Sequence, residues 1–130
     1  MAAADDGTHG KELWKSNGIA AGTVLVRDIN PGSGPSLSPP DYMVAVGKLL
    51  FFQAENSLSN EELWQSDGTA AGTLMVADIN PWGSSFPFGM TDVNGTLFFA
   101  ANNDVTGKEL WKATLTSSSW LKIYLPLIKR

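Results

Sequence analysis

Three glutamates recur in the same local sequence and are the first candidates for chemistry. Glu12, Glu62 and Glu109 each precede a Leu-Trp pair. Two carboxylates can serve as general acid and general base, but only when different environments separate their pKa values. Three copies in one repeated context favour an acceptor of hydrogen bonds from the backbone or from a neighbouring repeat. The pattern therefore predicts a structural role for these glutamates and no catalytic residue.

The remaining residues that could support catalysis are few. The chain has one histidine, His9, and no cysteine, which excludes a thiolate zinc site, a cysteine nucleophile and a disulfide framework. A Ser-His-Asp triad is compatible with the composition, but the sequence has no Gly-x-Ser-x-Gly elbow. It also has no glycine-rich phosphate-binding motif. A hydrolase acting on glycans or peptides is the remote hypothesis, because no carboxylate pair is uniquely placed.

Two oxygen-rich loops are candidates for a calcium site. Asp5 and Asp6 lie in the first loop, and Asp104 follows two asparagines in the second. Carboxylate and carbonyl oxygens suit Ca²⁺. Neither loop has the spacing of an EF-hand, so solvated turns without a cofactor are the favoured interpretation.

Composition excludes several classes of protein. The chain has 130 residues, a hydrophobic fraction of 43% and a net charge of −4. Nucleic-acid binding needs clustered Lys and Arg, which are lacking. The sequence has no apolar run of about 18 residues, so it predicts no transmembrane segment. The N-terminal sequence Met-Ala-Ala-Ala-Asp-Asp lacks the basic and apolar regions of a signal peptide.

The chain is built from an internal repeat. The Glu-Leu-Trp motif recurs after fifty and then after forty-seven residues, and two thirds of residues 11–31 recur unchanged at 61–81. Residues 50–54 match 97–101, so the length difference falls in the Pro- and Gly-rich stretch 31–46, a predicted surface loop. The predicted organisation is the tail of a preceding repeat (1–9), repeat 1 (10–59), repeat 2 (60–106), the start of repeat 3 (107–113), and a divergent polar linker with an apolar strand-like tail (114–130).

Each repeat predicts four short antiparallel strands. Residues 23–29, 42–46 and 49–53 are rich in β-branched and aromatic side chains, and the Glu-Leu-Trp segment alternates. Gly or Pro interrupts each run too early for a helix of three turns. Asn94-Gly95 predicts a tight hairpin, and Gly47-Lys48 takes the same place one repeat earlier.

The repeated residues are expected to build this framework. The tryptophans are expected to pack between repeats, because Trp dominates buried area. Asp28 and Asp78, which precede Ile-Asn-Pro, are expected to accept hydrogen bonds in Asx turns. The predicted structural residues are Glu12, Leu13, Trp14, Gly22, Thr23, Asp28, Glu62, Leu63, Trp64, Gly72, Thr73, Asp78, Glu109, Leu110 and Trp111.

A second group of aromatic residues lies outside the repeated positions. Trp82, Phe86 and Phe88 lie in a proline-containing segment. If exposed, they form a contact patch for a ligand. Packing beneath the loop is an equally good interpretation.

Four strands in fewer than 50 residues, repeated along a chain, are typical of a β-propeller blade. The frame Glu-Leu-Trp-x-x-Asp-Gly-Thr, followed by Gly-Thr and Asp-Ile-Asn-Pro-Gly, resembles the ELWxxDGT repeat of secreted bacterial multi-repeat proteins over about residues 3–113. Asn17, Ile19 and Trp82 depart from the motif. The resemblance implies an all-β partial propeller of about two and a half blades, located outside the cell or on its surface. It supplies no catalytic residues.

Two and a half blades fall short of the four to eight of closed propellers. Further repeats or self-association are therefore the expected partners, and a protein or glycan is the expected ligand. The leading hypothesis is a non-enzymatic structural or binding module of a secreted or cell-surface protein. The alternative, based on the start of the chain partway through a repeat, is a fragment of a longer repeat protein without independent function.

Overall fold

The computed structural model describes residues 1–32, 34, 36, 42–115 and 121–124. These residues form eleven β-strands and one short 3-10 helix, Ala20–Gly22. The strands are β1 (Ala2–Asp5), β2 (Lys11–Lys15), β3 (Val24–Arg27), β4 (Met43–Val46), β5 (Leu49–Glu55), β6 (Glu61–Ser66), β7 (Leu74–Ala77), β8 (Phe88–Val93), β9 (Thr96–Asn102), β10 (Lys108–Leu115) and β11 (Leu121–Tyr124). The predicted all-β class is confirmed.

The strands form three antiparallel sheets in which chain neighbours pair. The N-terminal sheet is β1-β2-β3, the central sheet is β4-β5-β6-β7, and the C-terminal sheet is β8-β9-β10-β11. The sheets are offset from the sequence repeats by two strands. The central sheet, for example, takes β4 and β5 from the first repeat and β6 and β7 from the second.

Tight turns start the central and C-terminal sheets. Asn94 and Gly95 both have positive φ, 52° and 85°, as the hairpin turn predicted there requires. In the β4–β5 turn only the first residue, Gly47, has positive φ, at 60°. Both turns join strands that pair without a break at the turn, Val46 with Leu49 and Val93 with Thr96.

The C-terminal region differs in part from its predicted organisation. Strand β10 continues through Thr114 to Leu115, where a polar linker is predicted to begin. Residues 116–120 and 125–130 of the predicted linker and tail lie outside the described residues, as do 33, 35 and 37–41 of the predicted surface loop. Residues 121–124 form β11, which pairs antiparallel with β10. Residues 121–124 of the predicted strand-like tail therefore form a strand.

The three sheets stack face to face. One core joins the N-terminal and central sheets and contains Leu13, Phe52 and Trp64. The other joins the central and C-terminal sheets and contains Phe51, Leu63 and Trp111. Since successive side chains of a strand point to opposite faces, Phe51 and Phe52 of β5 enter different cores. The central sheet is therefore buried on both faces, whereas the other two sheets each have an outer face.

The central and C-terminal sheets each have four strands, and these strands follow the same order in space. The first strands, β4 and β8, lie near each other, and so do the last strands, β7 and β11. Within the part of the chain that is described, no helix has the length and apolar character needed to cross a membrane.

Candidate functional site

Glu62 lies at the centre of a buried hydrogen-bond network. Its Oε2 accepts from Ile79 N at 3.0 Å and from Ser85 Oγ at 2.6 Å, and its Oε1 accepts from Asn80 N at 3.3 Å. The side chain is 1% exposed. Both oxygens therefore hold the segment that leaves the central sheet after β7.

Glu12 makes the same set of contacts one repeat earlier. Its Oε2 accepts from Ile29 N at 2.9 Å and from Ser36 Oγ at 2.6 Å, and its Oε1 accepts from Asn30 N at 3.2 Å. The predicted acceptor role is confirmed for Glu12 and Glu62. Glu109, on β10, is also buried.

Each serine of this network also bridges two sheets through its backbone. Ser85 N donates to Glu61 O, at the start of β6, at 2.9 Å, and Asn102 N, at the end of β9, donates to Ser85 O at 2.8 Å. We call Glu62 with Ser85, and Glu12 with Ser36, the inter-sheet latches. Their hydrogen bonds hold neighbouring sheets together.

Ser36 repeats this bridge between the first two sheets. Its N–H donates to Lys11 O at 3.0 Å, and its carbonyl accepts from Glu55 N at 2.6 Å. Neither serine is predicted from the sequence, because the repeats differ in length between the glutamate and the serine. The detectable signal is one serine at nearly the same distance after each repeated glutamate, twenty-four and twenty-three residues.

Burial sets the protonation behaviour of the latch glutamates. Burial raises the pKa of Glu62 to about 7, against the opposing effect of the hydrogen bonds from Ser85, Ile79 and Asn80. Burial also raises the pKa of Glu12, where Ser36 is the main opposing donor. A perturbed carboxyl can mark a catalytic group, but the oxygens of these two groups are already occupied by structural hydrogen bonds.

The predicted Asx turns at Asp28 and Asp78 are wrong. Such a turn needs the N–H two residues on, but Asn30 N donates to Glu12 and Asn80 N donates to Glu62. The Asx contact after β7 comes instead from Asn80, whose Oδ1 accepts from Trp82 N at 3.1 Å. Asp28 Oδ1 is buried without a hydrogen-bond partner among the described residues.

The Asp-Gly-Thr part of the motif forms a closed turn between β6 and β7. Ser66 Oγ and Thr73 Oγ1 are hydrogen-bonded at 2.7 Å, and Asp67 Oδ1 accepts from Thr69 N at 2.9 Å and from Thr69 Oγ1 at 2.6 Å. A Cβ on Gly72 would stand 2.0 Å from Asp67 Oδ1. Glycine is therefore required at position 72 by the side chain of Asp67.

The first copy builds this turn with fewer bonds. Ser16 Oγ and Thr23 Oγ1 again lie 2.7 Å apart, and Asn17 Oδ1 accepts from Ile19 N at 3.3 Å. Ile19 has no hydroxyl to donate, and its side chain is 61% exposed. A Cβ on Gly22 would stand 1.9 Å from Asn17 Oδ1. The turn therefore forms with either Asn or Asp at this position.

Two of the three repeated tryptophans pack between sheets as predicted. Trp64 and Trp111 are 7% and 6% exposed and lie in the two cores. The Arg27 guanidinium lies 5.9 Å from the Trp64 ring centroid, a contact between the first two sheets. Trp14 differs because it is half-buried on the outer face of the N-terminal sheet.

The calcium candidates accept hydrogen bonds from the protein itself, Asp5 within its own turn and Asp104 from the segment that follows β7. Asp5 Oδ1 accepts from Gly7 N at 2.7 Å, and Asp104 Oδ2 accepts from Asn80 Nδ2 at 2.8 Å. The described ranges contain no group of three or more acidic, His or Cys residues that could hold a metal ion. The structure therefore does not bring Asp104 to the other two, and calcium binding stays a prediction.

Asp6 forms an exposed pair with the single histidine. His9 Nδ1 and Asp6 Oδ2 lie 2.6 Å apart. Hydrogen bonds from the His9 and Thr8 backbone, followed by the His9 ring, lower the pKa of Asp6 to about 2. The hydrogen bond to Asp6 raises the pKa of His9. The pair closes a local turn, since Asp6 also accepts from Thr8 N and His9 N at 2.9 Å.

A cleft with an aromatic rim opens beside the junction of the central and C-terminal sheets. We call it the aromatic cleft; it has a volume of about 310 Å³ and is lined by Tyr42, Gln53, Glu61, Phe86 and Phe88. Gln53 Nε2 donates to Glu61 Oε2 at 2.7 Å, so an amide and a carboxylate form its polar wall. Three of these five residues, Tyr42, Gln53 and Glu61, were missed because none belongs to the repeated motif.

The predicted aromatic patch is divided by the structure. Phe86 and Phe88 line the aromatic cleft, whereas Trp82 lies outside its lining and is 73% exposed. Phe86 is 55% exposed and has φ of 47°, a left-handed conformation that is unfavourable for a bulky side chain. Packing beneath the loop is therefore wrong for Trp82 and Phe86.

Comparison with protein-family models, curated proteins and solved structures gives no match for this chain.

Proposed function

We propose that this chain is a non-enzymatic binding module that holds a carbohydrate in the aromatic cleft. The observation that carries the proposal is the combination of an exposed aromatic rim, Phe86 and Phe88, with the hydrogen-bonded Gln53–Glu61 pair. Sugar rings offer C–H faces to aromatic rings and hydroxyls to amides and carboxylates. A volume of about 310 Å³ is at the lower end for small-molecule sites and suits one sugar unit.

The aromatic cleft departs from the repeat, which favours a role other than holding the fold. Gln53 corresponds to Ala100 one repeat later, and Glu61 corresponds to Lys11 and Lys108. The latch residues, by contrast, recur with the same contacts. Side chains needed only for the framework are expected in every repeat, so the polar pair of the cleft has another use.

The backbone of Phe86 supports this reading. A non-glycine residue with positive φ costs on the order of 1 kcal/mol, and such positions cluster at functional sites. At 47°, Phe86 holds its ring at the mouth of the cleft instead of burying it. The observed strain is thus placed where a ligand would contact the ring.

The non-enzymatic part of the proposal is supported by the latch glutamates. Glu12 and Glu62 are buried and each accepts three hydrogen bonds from the protein itself. We propose no cofactor for the module.

The stack of antiparallel meanders supports a partial propeller as the parent architecture. The resemblance to ELWxxDGT repeats supports a bacterial protein outside the cell or on its surface. Both remain part of the proposal.

A glycan array probed with the full chain tests the proposed ligand class. The expected result is binding to a subset of glycans, which calorimetry then quantifies with Phe86→Ala. Loss of one ring contact, worth about 1 to 1.5 kcal/mol, predicts roughly tenfold weaker binding. Trp82→Ala is the matched control, because it removes an exposed aromatic ring outside the aromatic cleft. A blank array, or equal losses in both variants, would overturn the proposal.

A further inference from the structure

We propose that this chain binds a second copy of itself head to tail, through the two outer faces of its stack of sheets. The Trp14 face of one copy would cover the Leu110 face of the other. The inference is independent of carbohydrate binding and follows from the way the same residues are used inside the molecule.

The two internal interfaces follow one rule. Leu13 of the N-terminal sheet shares a core with Trp64 of the central sheet. Leu63 of the central sheet shares the next core with Trp111 of the C-terminal sheet. In each case the leucine of one sheet meets the tryptophan of the following sheet. The leucines are both fully buried, at 0% exposure.

Among the residues that the structure describes, one leucine and one tryptophan of these repeated series have no facing sheet. Leu110 is 37% exposed on β10, and Trp14 is half-buried on β2. They are the third members of the same two repeated series. An interface that follows the rule would place Leu110 of one copy against Trp14 of the next.

The outer face of the C-terminal sheet carries apolar residues at the same repeat positions as the buried face of the central sheet. Val93 and Phe98 lie at the positions of Val46 and Phe51. Val46 is 1% exposed and Phe51 is fully buried, whereas Val93 is 47% exposed. This face therefore carries the residues that pack against a tryptophan-bearing sheet elsewhere in the chain.

The outer face of the N-terminal sheet carries the tryptophan that such an apolar face would contact. Ala2 pairs with Trp14, and Trp14 pairs with Leu25, so these three side chains share one face. A cavity of about 220 Å³ lies beside Trp14, and its other lining residues are Met1, Ala2, Ala4, Lys15, Ser16 and Thr23. The small side chains of Ala2 and Ala4 leave space beside the ring for side chains from an opposing sheet.

A polar contact also has a counterpart at the proposed interface. Lys15 Nζ donates to Gly68 O at 2.6 Å across the first internal interface. Lys112 is the residue at the Lys15 position in the C-terminal sheet, and Gly18 is at the Gly68 position in the N-terminal sheet. The interface between copies would therefore gain a Lys112–Gly18 hydrogen bond.

A head-to-tail interface closes into a ring when its rotation fits and otherwise forms filaments. The described residues of two copies form six sheets, which is within the four to eight blades of closed propellers. Ring closure rests on the propeller part of the proposed function. The face-to-face contact itself does not.

The molar mass of the full chain in solution, measured over a range of concentrations, tests the proposal. Assembly beyond the 13.9 kDa monomer is expected, and Leu110→Arg should weaken it at least tenfold. Val105→Arg is the control, because Val105 is an exposed hydrophobic residue in the β9–β10 turn, away from both faces. A monomer at every concentration would overturn the proposal.

Mixing two single-face variants tests the head-to-tail geometry. Leu110→Arg and Trp14→Arg each destroy one face, so each alone should be monomeric and a mixture should form a one-to-one dimer. Should Trp14→Arg fail to fold, Ala2→Arg replaces it, because Ala2 is exposed on the same face. Folded variants that fail to pair in the mixture would overturn the head-to-tail arrangement. Unchanged glycan binding by these variants would separate this outcome from failure of the proposed function.

Discussion

Leu13 and Trp64 lie fifty-one residues apart in the chain yet share one buried core between two sheets. Leu63 and Trp111 repeat the relationship in the next core. The Leu-Trp pair of each motif therefore faces two ways, with the leucine on one side of the sheet and the tryptophan on the other. This explains why the motif recurs as a unit, since each sheet must offer one residue to each neighbour.

Removing the latch hydroxyl tests the contribution of the latch to stability. Ser85→Ala deletes the donor that lies 2.6 Å from Glu62 Oε2 and leaves a buried carboxylate one hydrogen bond short. The expected loss is about 1.5 to 3 kcal/mol, the range for a hydrogen bond to a charged group. Urea denaturation at pH 8, above the raised pKa of Glu62, measures it. Ser57→Ala, at an exposed position, should change stability by less than about 0.5 kcal/mol, and equal effects in the two variants would contradict the latch.

The stability of the fold should fall as the pH rises from about 4.5 to 7. The pKa of Glu62 is raised from 4.5 to about 7 in the folded protein, so the folded chain holds this proton over a range in which the unfolded chain releases it. Each pH unit in this window costs at most about 1.4 kcal/mol for one such group, and the loss levels off above it. The raised pKa of Glu12 acts in the same direction.

Urea midpoints at pH 5, 6, 7 and 8 measure this dependence. The His9→Gln background removes the contribution of His9, whose raised pKa would also make stability fall with rising pH. In that background Glu62→Gln should flatten the slope. A slope that Glu62→Gln leaves unchanged would show that the dependence has another origin.

Gly72→Ala should destabilise the turn between β6 and β7. The added Cβ would lie 2.0 Å from Asp67 Oδ1, so the side chain or the backbone must move. Overpacking of this kind costs about 1 to 3 kcal/mol. Asp67→Ala made together with Gly72→Ala removes the clash, and the double variant should recover part of the loss. If the second substitution adds its own loss in full, the clash is not the cause.

Ile19→Thr should stabilise the first copy of the same turn. In the second copy, Thr69 Oγ1 donates to Asp67 Oδ1 at 2.6 Å and accepts from Gly72 N at 2.9 Å. Threonine at position 19 can make the same bonds with Asn17 and Gly22, and a net gain of about 0.5 to 1.5 kcal/mol is expected. The thermal midpoint reports it. A lower midpoint would mean that the exposed Ile19 side chain makes a contact the turn needs.

Local signals in the sequence were sufficient for the strands, the Asn94-Gly95 turn and the acceptor role of Glu12 and Glu62. Each of these depends on residue type and repetition alone. The Asx turns at Asp28 and Asp78 were wrong because a glutamate distant in the chain takes the N–H groups of Asn30 and Asn80. That competition is tertiary and leaves no local trace.

Only part of the aromatic cleft is predictable from the sequence, because part of it depends on strand pairing. Phe86 and Phe88 were identified because aromatic residues near prolines are visible in a sequence. Gln53 and Glu61 were missed, because alternation along β5 marks Gln53 only as a residue on the same face as Phe51. Their partnership depends on the pairing of β5 with β6, which no single strand specifies.

Crosslinking between copies is the most direct test of the Leu-Trp rule on which the account depends. The chain has no cysteine, so Ala2→Cys and Ala100→Cys each introduce one reactive thiol, and Ala100 lies on the Leu110 face because it pairs with Leu110. A short bismaleimide added to a mixture of the two variants should give a dimer that joins position 2 of one copy to position 100 of the other. Each variant alone should give far less product. A mixture that crosslinks no better than the separate variants would contradict the rule that each tryptophan face binds a leucine face.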